Sequence, residues 1–368
     1  MDILFISERP VERLSEGASG NLPEDGFLWI DATHEEVAAD VAAWRSTVER
    51  FTGVQLHDLH VSDALNLKHP SYFDSTQDYE LLVFRKLALA READGDSTAL
   101  SETESRRKIP PALTKLATQP VTFLLMDRAL VTVHGGPSRT IEQARKRLLD
   151  YQPKNGSSHG SRPASSPREL MLRLLNALVD QYLELRQPLT TQIDRWQRAL
   201  LSPRRPFNDW IALLDARIEL RKLDLLCEEQ HDALQELRDH FIDTWHDSDN
   251  SRIRDLLLVR INDVMEHVTR VLNHARRLEA SIESAVQIHF SAMAHRTSEI
   301  MRTLTVLTAL FMPLTLITGI FGMNFIDMPL LKDRDGFWIT MGLMGVTVVI
   351  ALLFFRRKRF LEDRNTDN

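Results

Sequence analysis

The chain has 368 residues, of which 26% are charged, and a formal net charge of -7. That acidic balance argues against nucleic acid as a partner. The single cysteine, Cys227, excludes an intrachain disulfide and suits a reducing cytosol. The opening residues mix acids with arginines and hold no apolar run, so no secretory leader is expected.

Residues 1–150 read as a mixed α/β domain. FLWID at 27–31 is a short strand, and 33–51 reads as one helix with Val37, Val41, Trp44 and Val48 on a shared face. A longer strand follows at 79–89. Residues 121–125 and 130–133 flank Asp127-Arg128 as a hairpin. The polar stretch 92–105 reads as a loop, and the Pro, Gly and Ser of 151–167 mark a boundary. From there the pattern is helical. Residues 167–250 form a helical hairpin, with one helix over 167–201 kinked at Pro188 and a second over 208–241, closed by a polar turn at 245–251.

The stalk, 251–302, carries Leu257, Ile261, Val264, Val268, Val271, Ala275, Leu278, Ile282, Ala285 and His289 in steps of four and three. A seam of that spacing calls for helix-on-helix packing. No Pro or Gly falls within 252–309, so the stalk is expected to run unbroken into the next segment, a rod of about 110 Å to residue 325.

Residues 303–325, TLTVLTALFMPLTLITGIFGMNF, contain no charge, and about 23 residues of helix span roughly 34 Å. That crosses a hydrocarbon core of about 30 Å. A second charge-free run, 337–355, also spans, after a loop at 326–336 too short for a domain. A mean hydropathy of -0.23 fits a water-soluble chain ending in such a membrane hairpin. Arg356, Arg357, Lys358 and Arg359 follow the second span, in the tail 356–368, and His295, Arg296 and Arg302 precede the first. Basic flanks on both sides place both termini in the cytoplasm of a cell inner membrane and the loop outside.

Met301, Leu304, Thr308, Met312, Thr315, Gly319 and Gly322 recur by threes and fours on the first span. Small, hydroxylated and flexible side chains on one stripe suit a narrow pore lining. They equally suit helix packing, with each threonine satisfied on the carbonyl one turn back. Two spans per chain enclose no channel, so a pore needs several copies around an axis.

FMPLTLITGIFGMNFIDMP, at the end of the first of two C-terminal spans and followed by a short loop, one more span and a basic tail, resembles the signature of the CorA family of divalent-metal transporters. The resemblance is firm over about 263–361 and looser over the N-terminal domain. It implies an α+β chain: an N-terminal α/β cytoplasmic domain, a long helical stalk continuing into a pore-lining transmembrane helix, and a second C-terminal transmembrane helix. It also implies a homopentamer in a lipid bilayer that passes Mg²⁺, with Co²⁺ or Ni²⁺ beside it. In relatives the Gly322-Met323-Asn324 triple forms the outer mouth. Mg²⁺ sheds its waters reluctantly, and a ring of neutral amide oxygens hydrogen-bonds those waters without burying carboxylates near lipid. A helix C-cap is the other reading of Asn324.

Two soluble segments match as well. HVSDALN at 60–66 and NDVMEH at 262–267 resemble the family segments whose acids meet across a subunit boundary and bind regulatory Mg²⁺. Asp63 and Asp263 are the matching positions, with Asp180 as a further acid; taken singly, each reads as a solvated carboxylate. Ser62, Ser298, and Leu330-Leu331 after Met328-Pro329 depart from the family pattern, leaving Asp327 as the nearest loop acid.

His57 and His60, three apart, read as surface residues rather than a zinc pair. His267 and His274 share a stalk face, where an ordinary polar reading is favoured over a metal held between subunits. No phosphate-binding loop, nucleophile elbow or catalytic metal motif is present, so neither an enzyme nor an ATP-driven pump is expected. The leading reading is passive, membrane-potential-driven Mg²⁺ uptake gated by cytosolic Mg²⁺. A zinc transporter of the same superfamily, proton-coupled or not, and a membrane-tethered coiled-coil scaffold or sensor are the alternatives. Phe325 and Met328-Pro329, which zinc-transporting relatives tend to lose, favour magnesium.

Overall fold

The computed structural model describes residues 1–7, 9–15, 23, 25–88, 116–136, 138–151, 163–200, 202, 207, 210–244, 251–323, 330 and 334–357. Its contacts divide the chain into two units, Met1–Ser284 and Ala285–Asn368.

The first unit is built on a seven-stranded sheet: β1 (Asp2–Ile6), β2 (Glu12–Leu14), β3 (Phe27–Thr33), β4 (Tyr72–Ser75), β5 (Glu80–Ala88), β6 (Ala117–Met126) and β7 (Ala129–His134). Their order is β2-β1-β3-β7-β6-β5-β4. Only β3 and β7 run parallel, in register from Leu28 opposite Ala129 to Thr33 opposite His134. The other pairs are antiparallel.

Side chains alternate between the faces of a strand, and the two faces here have different covers. One face, with Ile3, Leu28, Ile30, Leu81, Val83, Val131 and Val133, packs under Val37, Trp44, Val48 and Val61. Those four lie on α1 (His34–Ala39), α2 (Val41–Thr52) and α3 (Asp58–Leu65). The opposite face carries Trp29, Asp31, Lys86 and Thr132, all buried. It lies against α4 (Arg139–Leu149) and α5 (Pro167–Leu200). There Trp29 Nε1 donates to Thr132 Oγ1 at 3.0 Å, the Thr132 hydroxyl donates to Asp31 at 2.5 Å, and Lys86 Nζ donates to Ser138 Oγ at 2.9 Å.

The single helix expected over 33–51 is two helices. Thr33 closes a capping box with Glu36, and Asp40 leaves helical geometry at φ -151° to accept from the Ala43 N–H at 2.9 Å. An Asp side chain that can start a new helix competes with continuing the old one. Strands β1, β2 and β4 and helices α3 and α4 were not among the expected elements. The stretches 92–105, 152–162 and 245–250, expected to be loops or turns, lie outside the described residues.

Two long helices follow, α6 (Trp210–Asp243) and α7 (Ser251–Phe321), then α8 (Gly336–Arg357). Within the first unit, α5, α6 and α7 pack together. Gln197 on α5 donates to the Ser281 carbonyl on α7 at 3.1 Å. Arg217 and Arg221 on α6 reach Glu279 on α7 at 3.1 and 3.0 Å, while Arg276 on α7 reaches Asp224 on α6 at 2.7 Å and also pairs with Glu228. The seam from Leu257 to Ala285 is buried inside the chain, and His289 is half-buried. Its partners among the described residues are the neighbouring helices of the same chain, as the helix-on-helix expectation requires.

Candidate ion path and metal-binding acids

The second unit holds the end of α7, and α8. Both helices are long and apolar enough to cross a membrane, and neither apolar window has any residue buried within the chain. Leaving such a surface in water costs about 25 cal/mol per Å². No described residue covers that surface. Met301, Leu304, Thr308, Met312 and Thr315 are exposed, but so are Leu307 and Phe311 around the same helix. Exposure alone does not single out the stripe.

The threonines do have a distinct chemistry. Thr305 donates to the Met301 carbonyl at 2.8 Å, Thr308 to Leu304 at 2.8 Å and Thr315 to Phe311 at 2.9 Å. With its proton committed to the backbone, each Oγ offers only lone pairs outward. Oxygens of that kind accept from the waters of a hydrated cation and give an anion nothing. A shallow groove lined by Met312, Thr315, Leu316, Gly319, Ile320 and Met323 overlaps this stripe.

The helix ends as the sequence suggests. The Gly322 N–H donates to the Thr318 carbonyl at 2.9 Å and the Met323 N–H to Ile320 at 3.2 Å. A Cβ on Gly322 would stand 3.0 Å from the Thr318 oxygen, so the small residue lets the last turn close. Asn324, Phe325, Asp327, Met328, Pro329 and Leu331 lie outside the described residues, as do Lys358 and Arg359. Leu330 has a φ of 72°, and its carbonyl sits where a Cβ on Gly336 would be 1.8 Å away, so glycine is required at the start of α8.

The three candidate acids fall into two sets. Asp63 is on α3, with Oδ1 3.6 Å from His69 Nε2. Tyr72 lies nearby, its pKa raised by burial and by the charges of Asp74, Glu236 and Asp63. The loop after α3 is held by Arg85 of β5, whose Nη1 donates to the carbonyls of Leu67 at 3.0 Å and His69 at 2.7 Å. Arg85's own carbonyl accepts from Tyr182 on α5 and Gln230 on α6, which joins this loop to the helices.

Asp180 on α5 and Asp263 on α7 form the other set, drawn together by a residue that was not expected to join them. His267, one turn after Asp263, has Nδ1 3.2 Å from Asp180 Oδ1 and Nε2 3.8 Å from Asp263 Oδ1. The i,i+4 spacing of Asp263 and His267 was the available signal. His274, by contrast, joins a protein contact: its Nε2 lies 3.3 Å from the Arg186 carbonyl and 3.2 Å from Thr190 Oγ1. His60 is buried rather than superficial, between the Tyr79 hydroxyl at 2.8 Å and Asp74 at 3.1 Å. Among the described residues no group of three His, Cys, Asp or Glu side chains closes around one point. Cys227 is buried, and burial pushes its thiol up to about 12, so it is inert.

Residues 24–357 match the sequence profile of the family described as CorA-like Mg²⁺ transporter protein. The cobalt/magnesium transport protein CorA of Thermotoga maritima is 28% identical over 196 residues, 52% of this chain and 52% of that one. The chain thus spans about half the length of that relative. The magnesium transport protein CorA of Campylobacter jejuni is 22% identical over 93% of this chain and 94% of its own. Among solved structures, the complete CorA magnesium transporter from Methanocaldococcus jannaschii superimposes with a TM-score of 0.63 at 18% identity, covering 97% of this chain and 98% of that one. That likeness carries the fold: a soluble α/β domain, a long helix and a C-terminal apolar helix. The match of the family profile to most of the sequence makes this chain a member of the CorA-like Mg²⁺ transporter family.

Proposed function

We propose that the chain is one subunit of a passive path for divalent cations across the inner membrane. Mg²⁺ is the main cargo, and Co²⁺ and Ni²⁺ also pass. The observation that carries this reading is the end of α7. In a chain of this family, an apolar helical segment with no residue buried in the chain and with acceptor-only threonine oxygens terminates at Gly322-Met323, immediately before Asn324. Two spans enclose nothing alone, so a homopentamer supplies the ring, with Asn324 at the outer mouth and Met301, Leu304, Thr308, Met312 and Thr315 along the path. Arg296 and Arg302 before the first span, and Arg356 and Arg357 after the second, orient both termini to the cytoplasm.

No energy source beyond the membrane potential is needed. A divalent ion gains about 4.6 kcal/mol per 100 mV, two charges at about 2.3 each. Cytosolic Mg²⁺ regulates the path: Asp63 of one subunit and Asp263 of the next, with Asp180 beside it, repel when bare and are clamped by a bound cation. Protein in liposomes with an inside-negative potential is expected to load Mg²⁺ in proportion to that potential. Potential-independent or absent uptake would overturn the reading. Preferred Zn²⁺ uptake that follows a pH gradient would replace it with the zinc alternative.

A further inference from the structure

Met301, Met312 and Met323 stand 11 residues apart along the chain, and all three are exposed. Eleven residues make three turns of helix with a drift of about 20°, so the three positions share one face, with rungs about 16 Å apart. Met312 and Met323 line the same shallow groove, with Thr315 and Gly319 between them. Thr308 and Thr315, whose protons are committed to the Leu304 and Phe311 carbonyls, lie one turn to either side of Met312. The face thus alternates thioether sulfur with acceptor oxygen. No charged residue falls within 303–325, so Met312 and Met323 have no carboxylate or ammonium beside them in that run.

A methionine on an apolar face is ordinarily a flexible filler of gaps. Here nothing in the chain is filled, and the sulfurs are left outward beside oxygens. The two kinds of donor favour different ions. Hydroxyl oxygens accept from the waters that Mg²⁺ keeps. Thioether sulfur is a weak acceptor for such waters and a direct ligand for soft cations such as Cu⁺. Rungs about 16 Å apart on one helix cannot hold one ion between them. A soft site at any rung therefore draws its sulfurs from several copies at one level.

We infer that the methionine rungs, Met312 foremost, are binding sites for a soft monovalent cation of the Ag⁺ or Cu⁺ class, each ion held by thioethers of two or more copies. Such an ion plugs the path to Mg²⁺. Bound directly to sulfur it sheds its water and stays, whereas a hydrated Mg²⁺ passes the same rung with its waters on. The inference rests on the proposed ring of copies with Met301 and Met312 along the path. It adds a blocking ligand of a chemistry opposite to that of the cargo.

The test uses the full chain carrying Cys227→Ala, which removes its one thiol, in liposomes under an inside-negative potential and in chloride-free buffer. Ag⁺ is expected to block Mg²⁺ uptake saturably, and washing with thiosulfate to restore it. Met312→Leu keeps an apolar side chain of similar volume. It is expected to raise the Ag⁺ needed for half-block about tenfold or more, measured against that variant's own Mg²⁺ uptake, with smaller shifts in Met301→Leu and Met323→Leu. Equilibrium dialysis in detergent gives a second readout. The Ag⁺ lost when all three methionines become leucine is expected to number fewer ions than chains, because each rung serves several copies. Block unchanged in Met312→Leu overturns the site, as does Ag⁺ binding that is the same with and without the three methionines. A chain that carries no Mg²⁺ but shows methionine-dependent Ag⁺ binding below one ion per chain would sink the Mg²⁺ path and leave the soft-cation site standing.

Discussion

Arg85 holds the main-chain carbonyl of His69 at 2.7 Å, and with it the loop that follows the Asp63 helix. The same guanidinium donates to the Leu67 carbonyl and, through Nε and Nη2, to Thr118 Oγ1 at 3.2 and 2.8 Å. Arg85→Met strips these acceptors of a charged donor, and the expected loss is about 2–3 kcal/mol of stability. Thermal unfolding measures the loss. Trypsin cleavage after Lys68 measures the freed loop and is expected to accelerate; equal cleavage in both proteins would mean that the loop holds without Arg85.

Tyr182 ties three elements at one point. Its hydroxyl donates to the Arg85 carbonyl at 3.2 Å and accepts from the Leu87 N–H at 3.2 Å and from Gln230 Nε2 at 2.6 Å. Burial drives its pKa far above the usual phenol value, so the hydroxyl keeps its proton. Tyr182→Phe leaves those donors short of an acceptor, with an expected cost of about 1–3 kcal/mol in denaturant unfolding. A change within error would mean that water replaces the hydroxyl.

His34 sets an acid limit. Burial, then the charge of His134, lowers its pKa from 6.5 to about 4, against a weaker opposing hydrogen bond with the Ala64 backbone. The unfolded chain binds this proton first as pH falls below 6.5, so folded stability drops from there to about pH 4, by roughly 3 kcal/mol in all. His134 works the other way. Burial lowers its pKa, but Asp31, Nε2 to Oδ1 3.2 Å, outweighs burial and raises it. Its contribution is full below 6.5 and is lost as pH rises through the raised value. His34→Leu is therefore expected to unfold less between pH 6.5 and 4 than wild type in a circular-dichroism titration. Parallel curves would contradict the assignment.

What was legible in the sequence follows from how local each signal is. The seam from Leu257 to Ala285 and the two apolar runs repeat one pattern over many residues, so helices α7 and α8 could be read directly. The break at Asp40 depends on a single side chain choosing the Ala43 N–H, which periodicity does not register. Strand β2 is short and mostly exposed, and β4 lies at the sheet edge, so neither carries a burial pattern. The bridge from Asp180 to Asp263 through His267 joins residues on two helices. Spacing showed only the half of it within α7. What the seam packs against was also beyond the sequence, because a heptad looks the same whether its partner is in the same chain or another.

On the proposed path, Met301 and Leu304 form an apolar ring at the cytoplasmic end, where dewetting blocks ions. Met301→Asp lets water in, and the expected result is a cation leak insensitive to internal Mg²⁺. Cysteines at 301, 304 and 312 are expected to react with small thiol reagents in at least one state. Inaccessibility in every state would make the stripe a packing surface.

The central claim is tested most directly by Mg²⁺ uptake into liposomes containing the Asn324→Ala protein, beside wild type at equal incorporation and under the same inside-negative potential. The account predicts that the variant assembles with the same oligomeric size and that its uptake falls to the level of empty liposomes, because the amide ring orders the hydrated ion and holds no subunits together. Wild-type uptake through the Asn324→Ala protein would contradict it.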